Sequence, residues 1–350
     1  MNILLAVTVT SAMMRGPFPI MSTPYFEDGA VDYEGLGREV RYLEKCGSPG
    51  AIWCQSNDAV DLLTAEEKFK GFEACAKAAE GLNVVMTLGA NGTNTAHLLE
   101  IATEIEAVAA RPPKTKIAMI SRPPDDVRSE AELEAAWGEL GKIAKRPVIF
   151  QTYGTDKTPT PSVELIVRLA KKYPHAFGYI KEEAAGWSAS ERMIKENAAK
   201  PAIKTVMAGW GGWQWLIQLR ECGCEGLVTE RCAYAPVLSA LWKEFENKNR
   251  KNDDRLTAAF ALYRLMVDQR NFPGGGLRDY ALYYLVKEGV FKNTVSRRYC
   301  DAKETEGGSF GNGHAWKLDT LKLPEIQRRE LDRLHETMIR FFSLAFPTKI

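Results

Sequence analysis

The chain predicts an α/β fold, a (β/α)8 barrel with a helical C-terminal appendage. Three observations carry this. Short β-rich runs alternate regularly with segments of helical length, and eight such units follow one another. The runs are almost continuously apolar, as strands covered on both sheet faces must be. No G-x-G-x-x-G turn follows the first run, so a doubly wound dinucleotide fold is disfavoured.

In order, the strand-helix units fall at 17–23 with 32–46, 51–54 with 64–80, 83–88 with 93–109 and 116–121 with 129–144. The second half gives 147–151 with 161–172, 176–181 with 188–197, 204–207 with 212–221 and 225–229 with 235–247. Thr64 with Glu67, and Ser129 with Glu132, have capping-box spacing, and Pro161 suits a first helical turn. The barrel therefore spans 14–247, behind an N-terminal extension at 1–13. That extension has no charge before its apolar stretch and makes a poor secretory signal. Disorder, or a start at Met13 or Met14, fits it better. Beyond 248, helices over 250–292 are interrupted by Pro273-Gly274-Gly275-Gly276, residues 293–322 read as an irregular insert, and an amphipathic helix begins at Pro324.

The 350 residues are 45% hydrophobic and 26% charged, which is ordinary globular composition with material for a large core. A net charge of +1 offers no bulk attraction for nucleic acid or an anionic membrane. No apolar run approaches the roughly 20 residues of a membrane-spanning helix. Seven scattered cysteines read as reduced thiols in a cytoplasmic protein. Cys222-Gly223-Cys224 lacks a second ligand pair, and the four histidines lack zinc spacing, so no metal site is expected.

Lys181 ends the sixth run. A barrel of this kind hosts its chemistry at the C-terminal ends of its strands. A lysine emerging there is costly to bury as an ammonium, and the neutral amine attacks carbonyls. The bland alternative is a strand-end lysine with its charge in water, paired with Glu182 or Glu183. The other strand ends offer Ser22, Thr23, Gln55, Ser56, Asn57, Gly89, Asn91, Ser121, Arg122, Gln151, Thr152, Tyr153, Gly209, Trp210, Thr229 and Glu230. Hydroxyls, amides and aromatics dominate this set. It has neither the clustered carboxylates of a divalent-metal site nor a Ser-His-Asp arrangement. A carbonyl substrate held by hydrogen bonds and attacked by an amine fits best. Trp53, Trp210, Trp213 and Trp215 read first as core and interface packing, and more sharply Trp210, at a strand end, could stack on a ring-shaped substrate. Asn91 reads either as a substrate contact or as a turn residue before Gly92.

Several segments, in order, resemble one family. They are Arg15-Gly-Pro-Phe-Pro-Ile-Met-Ser-Thr-Pro24 with Asp28-Gly29, Gly50 through Lys68, Pro147-Val-Ile-Phe150, Tyr179-Ile-Lys181-Glu182, and Gly209 with Gly223 through Thr229. The resemblance is to the dihydrodipicolinate synthase / N-acetylneuraminate lyase family of pyruvate-dependent class I aldolases. It implies that Lys181 forms an imine with a 2-keto acid, with no cofactor beyond that covalent imine, in a homo-oligomer built as a dimer of dimers. Ser56 and Asn57 would bind the carboxylate. Gln151, Gly209, Trp210 and Thr229 would line the substrate site.

The departures are specific. Gln55-Ser56-Asn57-Asp58-Ala59 replaces the usual Gly-Thr-Thr-Gly-Glu, so Asp58 adds a negative charge near that loop. Gln151 stands where the family has a proton-relaying tyrosine. Tyr153 is one strand period further on and could replace it if the strand continues. Asp156 and Lys157 stand where lysine-pathway synthases have an arginine, and Arg122-Pro-Pro-Asp-Asp126 lacks the fourth-loop tyrosine. These departures point to a catabolic aldolase or dehydratase acting on a sugar-derived or aromatic 2-keto acid, not to lysine biosynthesis. The alternative is an altered barrel that binds a keto or sugar acid without turnover.

Overall fold

The computed structural model describes residues 9–347 except 57, 59, 112–114, 156, 185–187, 210–213, 250–252, 268–276 and 301–314; the side chains of 229, 230, 277 and 278 are also outside the description. Eight parallel strands close in sequence order into a barrel. They are β1 (Gly16–Ile20), β2 (Gly50–Trp53), β3 (Val85–Gly89), β4 (Ile117–Ser121), β5 (Val148–Gln151), β6 (Tyr179–Glu182), β7 (Thr205–Ala208) and β8 (Gly226–Arg231). The helices that follow them are α1 (Tyr33–Lys45), α2 (Ala65–Ala78), α3 (Thr95–Ala110), α4 (Glu130–Ile143), α5 (Val163–Lys172), α6 (Ser188–Ala198), α7 (Gln214–Glu221) and α8 (Ala235–Glu246).

The helix starts obey local chemistry. Thr64 closes a full capping box with Glu67, and Asp32, Asn94, Ser129 and Ser162 each accept a backbone N–H of their own first turn. The closing seam has its own logic. β1 runs in register with β8 from Gly16↔Gly226 to Pro19↔Thr229, but meets β2 at Ile20↔Ile52. Alternate amides point to opposite neighbours, and two of those on the β2 side belong to Pro17 and Pro19, which have no donor. Met21 supplies the N–H that reaches Ile52 O at 2.7 Å.

Phe18, Ile20, Ile52, Ile149, Tyr179 and Met207 fill the barrel interior, joined by Val9 and Met14 from the segment before β1. Ser11 meets the Tyr179 hydroxyl at 3.3 Å. A larger apolar layer lies between strands and helices, where Trp53 meets Phe72 edge-on and Trp137 stacks on Phe150. Trp215, fully buried and stacked on Tyr263, is core.

Past the barrel come α9 (Asp254–Val267), α10 (Leu277–Lys287) and α11 (Glu325–Ala345). The stretch expected to be irregular instead holds an antiparallel hairpin of β9 (Val295–Cys300) and β10 (Ala315–Thr320). Its polarity concealed it, because its main anchor is a buried arginine. Arg297 donates to Leu62 O, Gly29 O and both Glu67 carboxylate oxygens, and lies between the rings of Tyr25 and Trp316. The hairpin thus rests on the loops that leave β1 and β2.

One buried carboxyl joins α1 to the barrel rim. Glu39 is fully buried and accepts from Ser22 N–H at 2.9 Å and from the Cys232 thiol. Burial pushes its carboxyl well above the ordinary range. The folded chain therefore keeps a proton that the unfolded chain releases near pH 4.3. That stabilisation is complete below the unfolded value and is lost as pH rises toward the folded one. In urea unfolding at a series of pH values, the wild type should lose stability relative to Glu39→Gln from about pH 4 upward, by at most about 1.4 kcal/mol per pH unit. Parallel stability curves would refute this.

Packing makes a second prediction. A Cβ on Gly71 would lie 1.9 Å from the Trp53 ring, whereas one on Gly138 would have nothing nearer than the Tyr173 hydroxyl at 3.8 Å. Gly71→Ala should cost about 1–3 kcal/mol by overpacking. Gly138→Ala should gain about 0.5–1 kcal/mol of helix propensity. Urea midpoints that move in the same direction for both variants would contradict this.

Candidate active site

The C-terminal mouth of the barrel is polar, and its centre is Lys181. The two-residue strand period sends Tyr179 and Lys181 inward, and Glu183, one step past the strand end, follows them. Lys181 is 2% exposed and Tyr179 3%. Lys181 Nζ lies 2.9 Å from Glu183 Oε2. The same oxygen accepts the Gln151 Nε2–H at 2.6 Å, and the Gln151 Oε1 accepts from Gln55 Nε2. Gln151 is the register partner of Lys181. One hydrogen-bonded row therefore links the ends of β2, β5 and β6.

Glu182 alternates to the other face. Fully buried, it accepts from Arg192 Nε at 3.1 Å, Thr152 Oγ1 at 2.9 Å and Ala184 N at 2.7 Å. Thr152 also receives the Glu183 N–H at 2.7 Å. The strand end that carries the lysine is thus pinned to β5 and α6. Lys181 is thus buried, not in water as the bland reading had it, and Glu183 is its partner.

The remaining candidates divide. Gly209 lies against the lysine stem, and a Cβ there would be 3.0 Å from Lys181 Cγ and 2.8 Å from Glu182 O. The missing side chain leaves the room that the lysine stem takes. Gln151 joins the row, Gln55 is fully buried beside it, and Ser56 is half-buried. Tyr153 is 40% exposed, past the end of β5 and at the entry to a turn that Thr155 N and Thr158 O close at 3.0 Å. Asn57 and Trp210 lie outside the described residues, as does the side chain of Thr229.

Asn91 is a brace. Its side chain donates to Cys54 O at 3.1 Å and accepts the Arg122 N–H at 3.1 Å, which ties the ends of β2, β3 and β4. Cys54 sits at φ +63°, a conformation uncommon for a residue with a Cβ, and that brace holds its carbonyl. A Cβ on Gly89 would lie 1.8 Å from the same carbonyl oxygen.

Arg231 and the inward position of Glu183 escaped the sequence reading. Asp58 is 3% exposed and carries no excess charge, because Arg231 Nη1 pairs with it at 3.0 Å and the Thr23 hydroxyl donates to it. Arg231 was missed because β8 runs two residues beyond the apolar run at 225–229. Glu183 was considered only as a partner in solvent. The i, i+2 spacing to Lys181 was the signal for an inward position.

Cys222 and Cys224 are both buried free thiols, and burial pushes Cys224 up to about 12. Among the described residues, no three His, Cys, Asp or Glu side chains gather as metal ligands, and no helix is long and apolar enough to cross a membrane.

No family model matches the chain. A curated 4-hydroxy-tetrahydrodipicolinate synthase of Chlorobaculum parvum is 23% identical over 228 residues, 65% of this chain and 73% of that protein. Among solved structures, dihydrodipicolinate synthase of Rhodopseudomonas palustris superposes with a TM-score of 0.72 at 16% identity, covering 94% of this chain and 99% of that one. The sialic acid aldolase of Ruminococcus gnavus gives 0.70 at 15% identity, covering 97% and 100%. In sequence the chain is thus similar to curated 4-hydroxy-tetrahydrodipicolinate synthases, and in structure it shares the closed barrel and C-terminal helices of dihydrodipicolinate synthase and sialic acid aldolase.

Proposed function

We propose that this protein is a Schiff-base-forming lyase, an aldolase or dehydratase, whose Lys181 condenses with a 2-keto acid whose reacting end is pyruvate-like. The observation that carries this reading is a lysine amine buried at the C-terminal mouth of a closed barrel, the one end where this fold hosts chemistry. An imine to the lysine is an electron sink, so the carbon next to it becomes acidic and a carbon–carbon or carbon–oxygen bond beyond it can break. No cofactor is needed for that sink.

Ser56 and Asn57 are the hydrogen-bonding groups for the carboxylate end, Gln151, Gly209, Trp210 and Thr229 line the substrate site, and Tyr153 serves as the proton relay in place of the usual tyrosine. Asp156 and Lys157, where an arginine would serve a lysine-pathway synthase, favour a catabolic sugar-acid role. By family resemblance the enzyme works in the cytoplasm as a dimer of dimers.

Gln151, where the resemblance calls for a tyrosine, favours a second reading, a barrel that binds a keto or sugar acid without turnover. Imine formation, which the first reading requires, is tested directly, and activity lost in Lys181→Ala with the fold intact would rule out the second. Incubation with pyruvate and borohydride, followed by peptide mass mapping, should place a reduced adduct on Lys181, and Lys181→Ala should carry none. Larger 2-keto acids should then compete for the same lysine. A wild-type Lys181 left unmodified at saturating pyruvate would end the Schiff-base reading.

A further inference from the structure

Imine formation on a lysine that rests in an ion pair is a problem in proton traffic. The ammonium must lose a proton before it can attack, the carbonyl oxygen must gain two before it can leave as water, and the nitrogen must lose one between. Amides cannot carry protons in this way, so neither Gln55 nor Gln151 can do the work. Glu182 faces the other side of the strand, committed to Arg192, Thr152 and the Ala184 amide. The Glu183 carboxylate stands 2.9 Å from the nitrogen that must react, with its side chain 13% exposed.

We propose that Glu183 is the catalytic acid and base of imine formation at Lys181, an inference that rests on the Schiff-base reading above. Its protons balance as follows. Oε2 takes a proton from the Lys181 ammonium. The freed amine forms the N–C bond to the keto carbon, and the carboxylic acid returns that proton to the carbonyl oxygen. The carboxylate then takes a second proton from the nitrogen and delivers it to the hydroxyl. The C–O bond breaks, water leaves, and the nitrogen lone pair closes the C=N bond. The products are a protonated imine, one water and the original carboxylate.

The surroundings suit this work. The Gln151 N–H holds Oε2 at 2.6 Å, and the Thr152 hydroxyl holds the Glu183 backbone N–H at 2.7 Å. The carboxylate is thus fixed from both ends, with hydrogen bonds that move no protons of their own. Fixed donors and acceptors of this kind limit the reorganisation each transfer needs. The residue was placed by sequence, since any acid two positions after the lysine faces the same way.

The test compares wild type, Glu183→Gln and Glu183→Ala by rapid mixing with pyruvate, quenching in borohydride and counting adduct at Lys181 against time and pH. Glu183→Gln should slow adduct formation by about 100-fold or more, the range for a lost general acid-base. The half-saturating pyruvate concentration should change little. Formate should restore part of the rate to Glu183→Ala, which keeps the test decisive even if the glutamine variant is destabilised. Wild-type adduct with unchanged or faster formation in Glu183→Gln would overturn the role of Glu183 alone, as would a slow Glu183→Ala that formate fails to rescue. Absence of wild-type adduct would instead remove the Schiff-base reading itself.

Discussion

The arrangement at the mouth depends on the buried ion pair between Lys181 and Glu183. A closed barrel has one interior, and every strand sends alternate side chains into it. Below Lys181 that space is apolar, filled by residues such as Phe18, Ile149 and Tyr179. At the level of Lys181 it becomes polar within one strand step. An isolated ammonium there would be prohibitive, and removing one partner of a buried pair typically costs about 3–5 kcal/mol because the other is left stranded. The carboxylate that makes Lys181 tolerable is therefore also what fixes where its amine points.

The pair recruits its neighbours. Gln151 and Gln55 satisfy it and each other across the mouth, so β2, β5 and β6 end in a common hydrogen-bonded row. On the outer side of the same strand, Glu182 repeats the arrangement with Arg192. Two successive glutamates thus divide the labour by strand period alone, one toward the reaction space and one toward α6. The glycine on the adjacent strand end completes the constraint, because the lysine stem occupies the place of its missing side chain. Networks of this kind resist piecemeal change, since each member lost leaves a buried group without its bond.

The sequence made the barrel legible because each unit carried its own redundant signals: an apolar run too short to be a helix, then a capping residue, then a helical period. Thr64 and Ser129 are caps as their spacing requires. The hairpin at 295–320 was not legible because its stability comes from contacts distant in sequence, above all Arg297 on Glu67 and on the carbonyls of Gly29 and Leu62. Lys181 was legible from topology. Asn91 was not, since an amide that braces two loop ends has the same sequence signature as one that binds a ligand. Nor was Arg231, because nothing in a strand's composition tells where its pairing ends.

The buried charges at Lys181 and Arg231 come in pairs. Lys181 is matched by Glu183 and Arg231 by Asp58, so each of these two buried pairs is neutral within itself. A keto acid entering as an anion on the proposed reading would meet the hydroxyls and amides at the ends of β2 and β5. The protonated imine keeps the positive charge that the ammonium had, and the carboxylate beside it keeps its negative one. The site's charge is therefore the same before and after condensation, and no step forces a bare charge into the barrel.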